Sequence, residues 1–128
     1  MKTASPWLAI LLIPAILLLV PVPSRAAPPA LGVGQCTNTK VIKLGTRLLD
    51  TPGSGTAIQF ANSIALVSYD IVPAAEASKP GDKVKMCLKS VPRNCPPGDE
   101  RGKVYTVTNL RTHQSFTLPD SQHECGGA

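Results

Sequence analysis

Aromatic residues are scarce: one Trp, two Tyr and two Phe in 128 residues. Trp7 falls in an N-terminal apolar run, so Phe60, Tyr69, Tyr105 and Phe116 are what remains for a folded body. Four rings barely furnish a core, which disfavours both sugar binding by stacking and base stacking on a nucleic-acid platform. Acidic residues number eight and sit mostly at turns (Asp50, Asp82, Asp99, Glu100, Asp120), a poor basis for the paired carboxylates of glycoside hydrolysis. Asp70, at the end of an apolar stretch beside Tyr69, reads as a strand-end residue bonded to nearby backbone. There is no phosphate-binding glycine loop, no dinucleotide fingerprint, and Gly53-Ser54-Gly55 lacks the G-x-S-x-G elbow of a serine hydrolase. Beyond residue 35 no stretch keeps an apolar i, i+3, i+4, i+7 pattern for three turns, which excludes a helical domain. The length excludes a multidomain enzyme and a repeat array.

What is present starts with an address. Residues 7–20 (WLAILLIPAILLLV) carry no charge, Lys2 precedes them, and Ser24-Arg25-Ala26 follows with small residues at the −3 and −1 positions. This is the layout of a secretory signal peptide cut after Ala26. The run of 14 residues is short for a membrane span, which needs about 20, and Pro14 interrupts it. We therefore expect a leader over 1–26, a flexible Pro-rich lead over 27–34, and a single domain over 35–128. No membrane span is expected after cleavage. Loss of Lys2 and Arg25 leaves 11 basic residues against 8 acidic ones, a net +3. Localisation is expected to be periplasmic or secreted.

The four cysteines fit export, since an even count in a short exported chain implies two disulfides. Three connectivities are open. The expected one joins Cys36 to Cys125, tying the two ends of the domain, and Cys87 to Cys95, closing a short loop.

The remaining chain is short, β-branched and punctuated by Gly, Pro, Asn and Asp. The spacing predicts strands over 36–44 with a continuation over 46–49, 56–61, 64–71, 83–91, 103–109 and 114–118, with one helical turn over 73–78. The fold class is all-β: a small antiparallel barrel or two-sheet sandwich of six to eight short strands. Alternation nominates a core of Val41, Leu44, Leu48, Ile58, Phe60, Leu66, Val67, Tyr69, Val84, Met86, Leu88, Tyr105, Val107, Phe116 and Leu118. Residues 64–67 (IALV) are apolar on both parities, which predicts a central strand or one covered on both faces.

The sharpest pattern is in 83–89. Val84, Met86 and Leu88 point one way; Lys83, Lys85, Cys87 and Lys89 point the other. Arg93, Arg101 and Lys103 follow in the next loop and its exit. Together they could form a cationic patch for polyanions or acidic protein surfaces. The plainer alternative is a solvated edge strand whose lysines block sheet-to-sheet pairing. Asp82, Asp99 and Glu100 would partly neutralise the patch, and the lack of interleaved aromatics argues against nucleic acid.

A second surface is the loop 50–55 (DTPGSG). Ser54-Gly55-Thr56-Ala57 resembles the Ser-Gly-x-x-Tyr element of periplasmic lysozyme inhibitors of the small β-barrel kind, with Ile58 where the tyrosine would stand. The resemblance implies an inhibitory loop presented by Ser54 and Gly55.

The sequence is thus expected to encode a non-enzymatic binding module without cofactor or metal, partnered by a protein or polyanion at the cell envelope. It would be an inhibitor of an envelope hydrolase or a polyanion binder. The competing class is a small hydrolase or metal-dependent enzyme built on His113, Asp120 and His123.

Overall fold

The computed structural model describes residues 3–4, 19–24 and 30–127. The expected leader, with its cut after Ala26, lies mostly outside the described residues. Among the described residues no helix is long and apolar enough to cross a membrane.

The order is β1 (Cys36–Thr46), β2 (Thr56–Phe60), β3 (Ala65–Ser68), α1 (Pro73–Glu76), β4 (Lys83–Ser90), β5 (Val104–Asn109) and β6 (Ser115–Pro119). Alternating β-branched and polar residues make these strands, and turn chemistry ends them. β1 stops before a loop in which Asp50 and Gly53 take positive φ. Ser63 reverses β2 into β3 at φ 69°, and His113 turns β5 into β6 at φ 60°. The gap between the expected segments 36–44 and 46–49 is not a break, because Gly45 stays in the ladder opposite Ala57. Pro73 starts the helical turn, where its missing N–H costs nothing.

All pairings are antiparallel, in one six-stranded sheet of order β3-β2-β1-β4-β5-β6. β1 holds the sheet together. Its first half pairs Cys36–Lys40 with Cys87–Lys83 of β4, and its second half pairs Val41–Thr46 with Phe60–Thr56 of β2. A bulge between Val41 and Lys43 separates the halves and bends the strand. The sheet curls into a half-barrel. Its terminal strands β3 and β6 come into contact, and α1 lies against β2 and β6. The barrel-or-sandwich alternative resolves as one curled sheet.

The concave side is the core: Val41, Ile58, Phe60, Leu66, Val84, Met86, Leu88, Tyr105, Val107, Phe116 and Leu118 are buried, with Ala75 of α1 among them. Leu44 and Val67 are half-buried. Two expected core residues are not there: Leu48 is 46 % exposed and Tyr69 55 %. Each lies just past the end of its strand, where alternation no longer says which way a side chain points. A further correction concerns β3, which is the terminal strand of the ladder, with Ala65 exposed. Its two-sided apolar pattern reflects the approach of β6 rather than a hydrogen-bonded neighbour on each side.

The disulfide pairing is also corrected. Cys36 joins Cys87, and Cys95 joins Cys125. The cause is register: Cys36 and Cys87 are directly opposed on β1 and β4, with Cα atoms 3.9 Å apart. Cys87 is thereby unavailable to Cys95, which instead anchors the C-terminal tail to the 91–103 loop. Residues 31–34 are tied as well, since Leu31 packs against the core and the Gly34 N–H donates to the Leu88 carbonyl (2.8 Å).

Among the described residues every buried side-chain nitrogen and oxygen is paired. The Thr56 hydroxyl donates to Glu76 Oε1 (2.6 Å) and accepts from the Val72 N–H (3.0 Å), fastening α1 to β2. The Asp82 carboxylate, 5 % exposed, accepts from Arg111 Nε (2.6 Å), Arg111 Nη2 (2.8 Å), Asn109 Nδ2 (2.9 Å) and the Lys79 N–H (3.0 Å). These bonds, those from Arg111 foremost, hold the Asp82 carboxyl well below the usual carboxylate range.

Candidate anion-binding face

The convex side of the sheet is where charge gathers. Lys83 and Lys85 are exposed there, as alternation predicts, and Lys89 is exposed at the end of β4, beside a bulge between Leu88 and Ser90. The register adds residues that sequence reasoning missed. Lys40 of β1 is opposite Lys83, and Asn38 is opposite Lys85. Lys43, opposite Gln59, continues the convex side past the bulge. The signal for Lys40 was available, since its parity is opposite to that of buried Val41. Only the β1–β4 register brings it to Lys83.

β5 and β6 extend the same side with hydroxyls. Thr108 is opposite Lys85 and Thr106 opposite Cys87. Their hydroxyls pair with Ser115 (2.7 Å) and Thr117 (2.9 Å) of β6. The face therefore consists of lysines, a carboxamide, hydroxyls and the Cys36–Cys87 disulfide. Every charged residue in the six strands is a lysine (Lys40, Lys43, Lys83, Lys85, Lys89), and no acid lies in any strand.

Two features make this arrangement uneconomical for the fold alone. Opposed residues on antiparallel strands hold their Cβ atoms about 5 Å apart, so like charges placed there are destabilising. Lys40 and Lys83 are such a pair, and among the described residues neither is in an ion pair. Moreover, β4 lies between β1 and β5. A strand with neighbours on both sides has no open edge to protect, so edge protection does not account for its lysines.

The loop cations contribute less. Arg101 is bound bidentate to Asp99 (2.9 and 2.8 Å), and Lys103 lies 3.6 Å from Glu100. Asp99 is held well below the usual carboxylate range, first by Arg101 and then by the Gly126 N–H. Arg93 is exposed in the loop, outside the strand ladder. The acids of 91–103 are thus taken up by Arg101 and Lys103 of their own loop, and neither forms an ion pair with a strand lysine.

A shallow, open groove of about 520 Å3 runs across β1 and β4 from the turn after β2 to the end of β5, lined by Asn38, Lys40, Ala61, Asn62, Lys83 and Leu110 among others. Leu110 is 49 % exposed. The Asn38 side chain makes no hydrogen bond among the described residues, whereas Asn62 donates to the Met86 sulfur (3.6 Å) and accepts from the Ile64 N–H (3.3 Å).

The loop 50–55 is fastened down at its end. Ser54 Oγ accepts from the Leu48 N–H (3.0 Å), and the Ser54 carbonyl accepts from Arg47 Nε (2.6 Å). Gly55 is buried at φ +117°, and a Cβ there would come within 2.1 Å of the Ser68 carbonyl oxygen. Ser54 and Gly55 are thus engaged with the body of the fold, and residues 50–53 are the exposed tip. Arg47 also covers Tyr69, its guanidinium 4.4 Å from the ring centroid.

His113 precedes β6 and Asp120 follows it, so a five-residue strand, about 17 Å long, separates them. Asp120 Oδ1 accepts from the Gly102 N–H (2.8 Å), while His113 and His123 are exposed. Among the described residues no group of three or more His, Cys, Asp or Glu is placed to hold a metal. Comparison of the chain with protein-family models, curated proteins and solved structures finds no match, so the reading of the face rests on its own chemistry.

Proposed function

We propose that this chain is an exported, non-enzymatic binding domain that attaches to anionic polymers through the convex face of its sheet. The observation that carries the reading is the charge arrangement: strand charge is lysine alone, and Lys40 directly opposes Lys83. An anion seated between the two ammonium groups would relieve their repulsion, and binding would recover what folding loses there. A rigid sheet presents the lysines at a fixed pitch, about 5 Å across strands and about 7 Å along them, so little ordering is required on binding. The leader pattern over 1–26 and the two disulfides support export, because disulfides persist in oxidising compartments.

The test replaces Lys40, Lys83 and Lys85 with Glu together and measures binding to dextran sulfate and to polyphosphate. If each lysine contributes about 0.5 to 1 kcal/mol, affinity falls about 10- to 100-fold. Wild-type binding should also weaken steeply with salt. A triple variant that binds as well as the wild type overturns the proposal.

A further inference from the structure

We infer that the anionic polymer is an acidic polysaccharide, with one sugar unit seated in the groove beside the Lys40–Lys83 pair. The inference rests on the anion-binding reading and narrows its partner. The groove combines three kinds of surface. Lys40 and Lys83, opposed in register and both lining the groove, can direct two ammonium groups at one sulfate, phosphate or carboxylate substituent. Ala61 and half-exposed Leu110 give apolar wall to the C–H face of a ring. Asn38 offers two N–H donors and a carbonyl acceptor, not used among the described residues, to ring hydroxyls. The groove is open at about 520 Å3, so it suits one unit of a polymer lying across the face rather than an enclosed small molecule.

Competing polymers match fewer of these features. Polyphosphate has charge but nothing for Leu110 or Ala61 to touch. A nucleic acid has apolar bases, but single-stranded recognition needs aromatic platforms. Phe60, Tyr105 and Phe116 are buried, and half-exposed Tyr69 carries Arg47 on its ring and lies outside the groove. The scarcity of aromatics excludes ring stacking, not recognition by charge, hydrogen bonds and aliphatic contact. Beyond the groove, Thr106, Thr108, Ser115 and Thr117 continue the face as a hydroxyl surface suited to further sugar units.

The experiment titrates the oxidised protein with dextran sulfate and with polyphosphate at matched ionic strength. It then repeats both titrations with the double variant Asn38→Ala, Leu110→Gln. Both side chains are exposed, and an unchanged thermal midpoint verifies the fold. Should the double variant lose stability, Asn38→Ala alone serves, with a loss of about fivefold. The expected result is tighter wild-type binding to dextran sulfate. The double variant should weaken it about tenfold and change polyphosphate less than twofold. Equal loss for both polymers, no loss for either, or polyphosphate binding as tightly as dextran sulfate overturns the polysaccharide inference and leaves the cationic face standing. Wild-type protein that binds neither polymer at low salt removes the cationic face itself.

Discussion

Lys83→Glu should make the protein more stable while weakening its binding. In the wild type, Lys83 opposes Lys40 across β4 and β1, with no acid in either strand. The substitution turns a repulsive opposed pair into an attractive one. Favourable cross-strand charge pairs contribute about 0.2 to 1 kcal/mol, and like-charge pairs cost a similar amount. Solvent exposure trims both, so the swing is about 1 kcal/mol. For a domain of this size that raises the thermal midpoint by about 5 °C. The assay is circular dichroism melting at about 10 mM and at 1 M salt. At 1 M the screening length falls to about 3 Å, and most of the gain should vanish. Lys85→Glu is the control: Lys85 opposes Asn38, so its gain should be smaller. A Lys83→Glu protein that melts lower, gains no more than Lys85→Glu, or keeps its advantage at high salt would refute the argument from opposed lysines. Stability gained with binding lost would mark the pair as retained for function.

Non-reducing peptide mapping should recover Cys36 linked to Cys87 and Cys95 linked to Cys125. On a chain-entropy basis the closed segments of 51 and 30 residues contribute about 4 and about 3.5 kcal/mol, so the Cys36→Ser, Cys87→Ser protein should lose slightly more in urea unfolding than the Cys95→Ser, Cys125→Ser protein. Gly55→Ala should cost more than about 2 kcal/mol in the same assay, because φ is +117° and the new methyl meets the Ser68 carbonyl oxygen. Asp82 has a folded pKa depressed below its unfolded value of about 3.9. Its contribution to stability is therefore present above about pH 4 and lost as pH falls below that. Asp82→Asn should lower stability at neutral pH and flatten the fall between pH 5 and 2, read from urea midpoints. Asp99, depressed in the same direction by Arg101, leaves a residual slope.

Local features of the fold were legible where local chemistry decides them. Alternation located all six strands to within a few residues, and Pro73 announced the helical turn. Non-local pairing was not legible. Nothing in CTNTKVIKLGT says that its first half will meet a strand more than 40 residues away and its second half the next strand along. The disulfide expectation failed for that reason: closing the ends of the domain was reasonable for a generic small barrel, but register puts Cys36 against Cys87. Alternation misplaces Leu48 and Tyr69 because the strands stop at Thr46 and Ser68. The site shows the same division. Lys83, Lys85 and Lys89 were visible within one strand. Their partners Lys40 and Asn38 were not, because finding them requires knowing which strand is the neighbour. The internal pairing of Arg101 with Asp99 depends on how the 91–103 loop folds on itself, which its composition leaves open.

The cysteine connectivity has a consequence for biogenesis. First joins second, and third joins fourth. A chain threaded amino end first into an oxidising space presents Cys36 alone until Cys87 arrives, and Cys87 is its native mate. Cys95 then waits for Cys125 in the same way. Under the proposed export, oxidation in order of emergence would yield the correct isomer at both steps and leave no wrong link for a shuffling catalyst to repair.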